Sequence, residues 1–197
     1  MTDRATQASA RARLLDAANK LFYSQGYHAT GINQIIEEAN VAKASFYNHF
    51  QSKEELALAY LKGRHERWLA SLREQVDLED SIENRVANVF EHLEVFALRD
   101  QFRGCSQLNM AAEFPEDDHP VRIQIREHKQ SIRDFLQNIL EIPSTRKDSE
   151  DGQQLTSSIY LLYEAALIES QNFSDPWPIQ RAKAAALQLV PTGEHTG

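Results

Sequence analysis

The sequence has a single cysteine, Cys105, in 197 residues. That excludes an intrachain disulfide and a zinc site built only of cysteine. It has no apolar run near the ~20 residues needed to span a bilayer. Residues 1–13 are polar and hold no apolar stretch of the kind a secretory signal carries. The setting expected from these absences is a reducing cytoplasm with no membrane association. Glycine and proline total 13, about half their ordinary share of ~12%. All six prolines fall at or after Pro115. Valine and threonine together number 14, against 43 for alanine and leucine. Few breakers, few β-branched residues and many helix formers predict an all-α chain. Positive charge is also short: 21 Lys and Arg face 29 Asp and Glu, for a net charge of −8. At face value that argues against a nucleic-acid partner.

What is present is a series of about nine helices. The first spans residues 9–25, with Leu14, Ala18, Leu21 and Phe22 on one face and Gly26 after its end. Residues 32–39 form a short helix with Ile32, Ile35 and Ile36 inward. Residues 43–50 form another. Ser52 caps a long helix to residue 76, with Glu55 completing a capping box. Ser81 starts a helix striped with Val86, Val89, Phe90, Leu93 and Phe96. Residues 105–114 and 120–142 follow, bounded by Gly104, Pro115, Pro120 and Pro143. Residues 144–152 read as a polar loop. Residues 153–172 form an apolar helix. Ser174 is expected to cap the last, over residues 175–190.

The first three helices, the second and third joined by the tight turn Asn40-Val41-Ala42, describe a helix-turn-helix over about residues 31–50. Asn40 suits the left-handed conformation such a turn needs. Phe46 and Phe50 lie four apart and can pack back on Leu21, Phe22 and Ile35. Lys43, Ala44, Tyr47 and Asn48 then face outward, and the small side chains of Ala42 and Ala44 permit close approach to a base edge. The charge question reopens here. Residues 1–62 carry seven basic and six acidic groups, leaving +1, and the remainder carries 14 and 23, leaving −9. A near-neutral reader can hold phosphate through helix N-termini and hydroxyls.

The residues Leu14-Leu15-Asp16-Ala17-Ala18, Leu21-Phe22, Gly26-Tyr27, Thr30, Ile35-Ile36, the run from Ala39 to Phe50, and Ser52-Lys53-Glu54-Glu55-Leu56 resemble the N-terminal domain of the tetracycline-repressor (TetR/AcrR) family. The likeness covers roughly residues 10–57. Gly31 stands where a hydroxyl residue is common, and Asn40 and Ala44 replace frequent glycines. The resemblance implies a DNA-binding domain at 1–52 and a helical ligand-binding and dimerisation domain at 53–197. It implies a homodimeric regulator, most often a repressor, that binds a palindromic operator in double-stranded DNA and is released by a small effector. By the same resemblance Thr30, Ser45, Tyr47, His49 and Lys53 are phosphate contacts, and Lys43 and Ala44 reach base edges, with Asn48 beside them. His49 packed under the helix, or Tyr47 partly in the core, is the alternative.

In the body, Trp68, Leu72, Phe90, Leu93, Phe96, Phe102, Leu108, Ile125, Tyr160 and Tyr163 lie on apolar stripes. Each is either ordinary core or the wall of an effector pocket with Asn109, His128 and Glu164 as polar groups. Cys105 completes the expected ligand-binding set of Trp68, Phe90, Leu93, Leu108, Asn109, His128, Tyr160 and Tyr163. The pair Gly104-Cys105, followed by Asn109 and Ala111-Ala112-Glu113, resembles one branch of the family, some members of which sense electrophiles or oxidants through that cysteine. The alternative is a small buried hydrophobe. No metal site is expected, because His119 and His128 are nine apart with no ligand at helical spacing, and no cofactor is expected. The helices at 153–172 and 175–190 are expected to form the dimer contact, through Leu155, Ile159, Leu162, Ala166 and Glu169 on one and Ala182, Ala185, Ala186 and Leu189 on the other. An enzyme in the C-terminal body or a helical adaptor that binds no DNA is the competing function. No nucleophile–base set supports the enzyme.

Overall fold

The structure is a computed structural model that describes residues 9–78, 80–140 and 150–190. Among these residues it is all helical, with nine helices: α1 (Ala10–Gln25), α2 (Ile32–Glu38), α3 (Lys43–His49), α4 (Lys53–Gln75), α5 (Ile82–Arg99), α6 (Ser106–Ala111), α7 (Pro120–Ile139), α8 (Glu150–Phe173) and α9 (Trp177–Leu189). The expected end of α7 at residue 142 and most of the expected 144–152 loop lie outside the described residues. α8 nevertheless begins at Glu150, before the loop was expected to end. No helix is long and apolar enough to cross a membrane among the described residues.

Local signals set most helix ends. Ser9 Oγ accepts from the Ala12 amide and Ser81 Oγ from the Asn84 amide. The expected capping box at α4 forms with a one-residue shift: Ser52 Oγ takes the Glu55 amide at 3.0 Å, and the Glu55 carboxylate takes the amide of Gln51, the residue before the cap, at 2.6 Å. The start of α9 differs from expectation. Ser174 lies at φ +51, Pro176 is the N-cap, and Asp175 Oδ1 takes the Trp177 amide at 2.8 Å. Ser174 lies two residues before the N-cap.

The chain divides into two compact units, one of Met1–Glu66 with Ser106–Arg126, the other of Arg67–Cys105 with Glu127–Gly197. The unit that carries the helix-turn-helix therefore extends beyond the expected 1–52. Its apolar core explains why. Leu14, Leu21, Phe22, Ile35, Phe46 and Phe50 share that core with Leu56, Tyr60 and Leu61 of α4 and with Met110, Phe114, Val121 and Ile125. Three short helices bury too little surface alone, and the added segments supply the rest.

The second unit is built on α5, the last half of α7, α8 and α9 with the end of α4. Val86, Val89, Phe90 and Leu93 of α5 are buried with Ile132 and Leu136 of α7 and Ile159 of α8. Lys183 pairs with Glu91 at 2.6 Å, and Gln180 donates to Glu94 at 2.9 Å, joining α9 to α5. Buried Arg85 donates to the carbonyls of Leu78 and Ile139.

Candidate nucleic-acid interface

The turn between α2 and α3 forms as its residues dictate. Asn40 takes φ +49, its amide donates to Glu37 O at 3.0 Å, and the Val41 amide donates to Ile36 O at 3.2 Å. The extended backbone of Ala42 caps α3, and the Phe46 amide closes the first turn on Ala42 O at 3.2 Å. Phe46 is fully buried and Phe50 nearly so, their rings 6.3 Å apart. Anchoring those two positions forces the opposite face outward. Lys43, Ala44, Tyr47, Asn48 and His49 are all exposed, and Ser45 is half-buried. His49 therefore does not pack beneath the helix, and exposed Tyr47 meets the core in an edge contact with Phe46 at 5.2 Å. Arg13 braces the turn by donating to Ala39 O at 3.1 Å, and Lys20 pairs with Glu38 at 2.6 Å.

Two expected phosphate contacts are engaged elsewhere. Thr30 has no exposed surface. Its hydroxyl donates to Gly26 O at 2.6 Å and accepts from Gln25 Nε2 at 3.1 Å, closing the turn that leads into α2. The Lys53 ammonium donates to Tyr27 O at 3.0 Å and Thr30 O at 2.9 Å, and lies 4.1 Å from the centre of the Tyr27 ring. Burial lowers the Lys53 pKa, with the Glu113 carboxylate opposing that shift. Burial, then the charges of Glu54 and Glu113, raise that of Tyr27. Thr30 and Lys53 thus both hold the turn that leads into α2. Gly31 is open, with nothing within 4 Å of where a Cβ would stand.

The expected effector residues divide between the units. Leu108 and Asn109 lie on α6 in the first, and the other seven lie in the second. There Trp68 meets His92 edge-on at 4.6 Å and Phe96 at 4.5 Å, and Phe90 meets Tyr163 at 6.4 Å. His128 is buried. Cys105 is buried too, after Gly104, whose φ of +81 and close neighbour Gln171 leave no room for a side chain. Burial pushes the Tyr160 hydroxyl up to about 12, helped by Glu164, and also raises that of Tyr163; Cys105 adds to both shifts. Lys129 pairs with Glu164 at 2.5 Å beside them. A cavity of about 430 Å³ opens elsewhere in this unit, walled by Leu69, Arg73, Val76, Ser131, Phe135 and Ile139, none of them in the expected set.

His92 was missed by sequence reasoning. Its Nε2 lies 2.8 Å from Ser71 Oγ, and its Nδ1 has no hydrogen-bond partner among the described residues. Burial, reinforced by the Arg99 charge, lowers its pKa to about 4. An unfolded histidine titrates near ~6.5. Below that pH the unfolded chain holds a proton that folded His92 refuses. Stability should therefore fall as pH drops from 6.5 toward 4, at a slope of up to ~1.4 kcal/mol per pH unit from this group, and level off below. His92→Phe keeps the ring stack and removes the titration. Urea midpoints of the two proteins should diverge with pH in that window; parallel curves would mean that His92 titrates normally.

The exposed α3 face on a buried aromatic anchor, with an all-helical body behind it in sequence, defines a helix-turn-helix regulatory protein. Residues 14–60 match the tetR family of bacterial regulatory proteins, and residues 83–186 match a tetracyclin repressor-like C-terminal domain. The chain belongs to the tetracycline-repressor family. Over 54 residues, 27% of this chain and 28% of the other, it is 46% identical to the uncharacterized HTH-type transcriptional regulator YxaF of Bacillus subtilis. The first curated relatives are matched over only 26% to 33% of their own length. Over 194 residues, 95% of this chain and 96% of the other, it is 23% identical to the HTH-type transcriptional repressor NemR of Escherichia coli. The crystal structure of SCO4454, a TetR-family transcriptional regulator from Streptomyces coelicolor, superposes with a TM-score of 0.79 at 29% identity, over 92% of this chain and 95% of that one.

Proposed function

We propose that the protein is a cytoplasmic, ligand-responsive transcriptional regulator that binds a palindromic operator as a homodimer and is released by a small hydrophobic or electrophilic effector. The carrying observation is the row Lys43, Ala44, Tyr47, Asn48 and His49, exposed together on a helix whose other face is locked by Phe46 and Phe50. Such a helix fits a major groove, with Lys43 and Ala44 nearest the bases and the hydroxyls of Ser45 and Tyr47 nearest phosphate. The family and the relatives' regulatory names support this reading. The acidic remainder of the chain discourages loose attachment to DNA and leaves binding to placed contacts.

The dimer is assigned to α8 and α9, with one change of face. Ile159, Ala166, Ala182 and Ala186 are buried within the chain itself. The large apolar side chains of α8 left exposed are Leu161, Ile168 and Phe173, of which Leu161 and Ile168 share one face away from those core positions. Two-fold pairing of such helices would set two copies of α3 about one DNA turn apart.

The test is selection of duplexes from a random pool by the purified protein. A recovered inverted repeat, bound far more tightly than a scrambled duplex at physiological salt, is the expected result. Equal binding of both would remove the reading. The effector arm uses Cys105. Treating the complex with a thiol-alkylating enone should release wild-type protein and spare Cys105→Ser. Equal behaviour of the two would leave Cys105 as a buried apolar side chain and nothing more.

A further inference from the structure

The turn that leads into α2 is held from a distance. Gly26 takes φ +93 just after α1, and the next two backbone amides find their acceptor outside that helix. Both are taken by one carboxylate. Tyr27 N donates to Glu113 Oε1 at 2.7 Å and His28 N to Glu113 Oε2 at 2.6 Å. His28 Nε2 donates to the Glu113 carbonyl at 2.8 Å. The approach is so close that a Cβ on Gly26 would stand 2.8 Å from Oε1. On the carbonyl side of the same turn stands the Lys53 ammonium, on Tyr27 O and Thr30 O. A cation from α4 and an anion from beyond α6 thus satisfy the turn between them.

Glu113 is itself seated firmly. It follows α6, where Gln107 donates to Leu61 O at 3.1 Å and Arg122 donates to Ala111 O at 3.3 Å. The neighbouring Phe114 packs on Tyr27 at 4.8 Å and on His28 at 5.8 Å. A two-oxygen, charge-assisted grip is stronger and more directional than a single neutral bond. Its loss deprives the part-buried Tyr27 amide of its acceptor and leaves the exposed His28 amide to water. Four residues after His28, α2 begins, and the Asn40 turn fastens α3 to α2. The start of the helix-turn-helix therefore has its position set by a side chain some 85 residues away.

We infer that Glu113 is a positioning residue for DNA reading: by clamping the Tyr27 and His28 amides it sets the angle at which α2 and α3 are presented, and moving it away lowers affinity for the operator selectively. The inference rests on the DNA-binding role proposed above. Glu113 also ties the segment just after α6 directly to the turn before α2.

The experiment compares wild type, Glu113→Ala and Glu113→Gln by fluorescence anisotropy on the duplex that wild type selects and on a scrambled duplex, at a temperature well below each protein's melting transition. Backbone amide exchange at Tyr27 and His28 is followed in parallel. Glutamine keeps the size, accepts one amide and turns its own N–H₂ toward the other. Affinity for the selected duplex should drop about tenfold in Glu113→Ala and by a smaller factor in Glu113→Gln, with scrambled-duplex binding unchanged and faster exchange at both amides. A role confined to stability would lower the melting temperature and leave the folded protein's affinity alone. Wild-type affinity in the folded variants, or equal loss on both duplexes, would overturn the inference. If Glu113→Ala does not fold, Glu113→Gln decides by the same criteria. Failure of wild type to select any duplex would overturn the DNA-binding reading, and this inference with it.

Discussion

Replacing Leu161 and Ile168 together by aspartate should turn the protein into a monomer that no longer holds its operator. Leu161 is 63% exposed and Ile168 40% exposed on one face of α8, while neighbouring Ile159 and Ala166 fill the protein's own core. In a two-fold contact each side chain counts twice, and full burial of a leucine or isoleucine contributes ~1.5–3 kcal/mol. Aspartate removes that gain and places like charges against each other across the axis. The substitutions sit at exposed positions, so the fold of the subunit should survive. Linking two half-site binders raises apparent affinity by roughly 10²–10⁴-fold, and that factor should vanish with the dimer. Sedimentation velocity and anisotropy on the selected duplex check both halves. A variant that stays dimeric would move the interface elsewhere, to the exposed Val95 and Leu98 of α5 for example.

The second large effect belongs to α3. Lys43→Ala and Tyr47→Ala should each weaken operator binding by ~1–3 kcal/mol, and the pair by close to the sum if the contacts are independent. The two should also differ in kind. A lysine at a base edge loses sequence preference when removed, whereas a tyrosine hydroxyl on phosphate loses affinity on every sequence alike. Tyr47 is 46% exposed, so its loss costs the core little. Ala44→Leu, with its larger side chain at the close-approach position, should block operator binding while leaving the melting temperature near wild type. Unchanged affinity in both alanine variants would remove α3 as the reader. The same selected duplex serves all these proteins, and because the Tyr47 hydroxyl is neutral and releases no counterion, Tyr47→Ala should keep the salt dependence of wild type.

Much of this was legible before any coordinates. Phe46 and Phe50, four apart, already imply a buried face and hence which residues of α3 face outward, because helix periodicity leaves no other arrangement. Asn40 announces a left-handed turn, and Ser9, Ser81 and the Ser52–Glu55 box announce helix starts, since each acts on amides within three residues of itself. Signals that act over a longer reach in sequence were not legible. Thr30 bonds only four and five residues back, to Gly26 and Gln25, but the burial that commits its hydroxyl there is set by the packed fold. Lys53 has the chemistry of another, yet it caps carbonyls across the α1–α2 turn. His92 shows no partner in its own stretch of chain; Ser71 and Trp68 reach it from α4.

By itself, the sequence determined the helical class, the order of helices, the reader's exposed row and the split between a near-neutral reader and an acidic body. These follow from composition and from interactions within one or two turns. Tertiary structure alone decided that Ser106–Arg126 joins the reader's unit, that Ile159 and Ala166 face inward while Leu161 and Ile168 stay exposed, and that Glu113 closes the turn before α2. A hydrogen bond spanning 86 residues leaves no periodic trace. Which of two apolar stripes on α8 is core depends on the helices that come to lie against it.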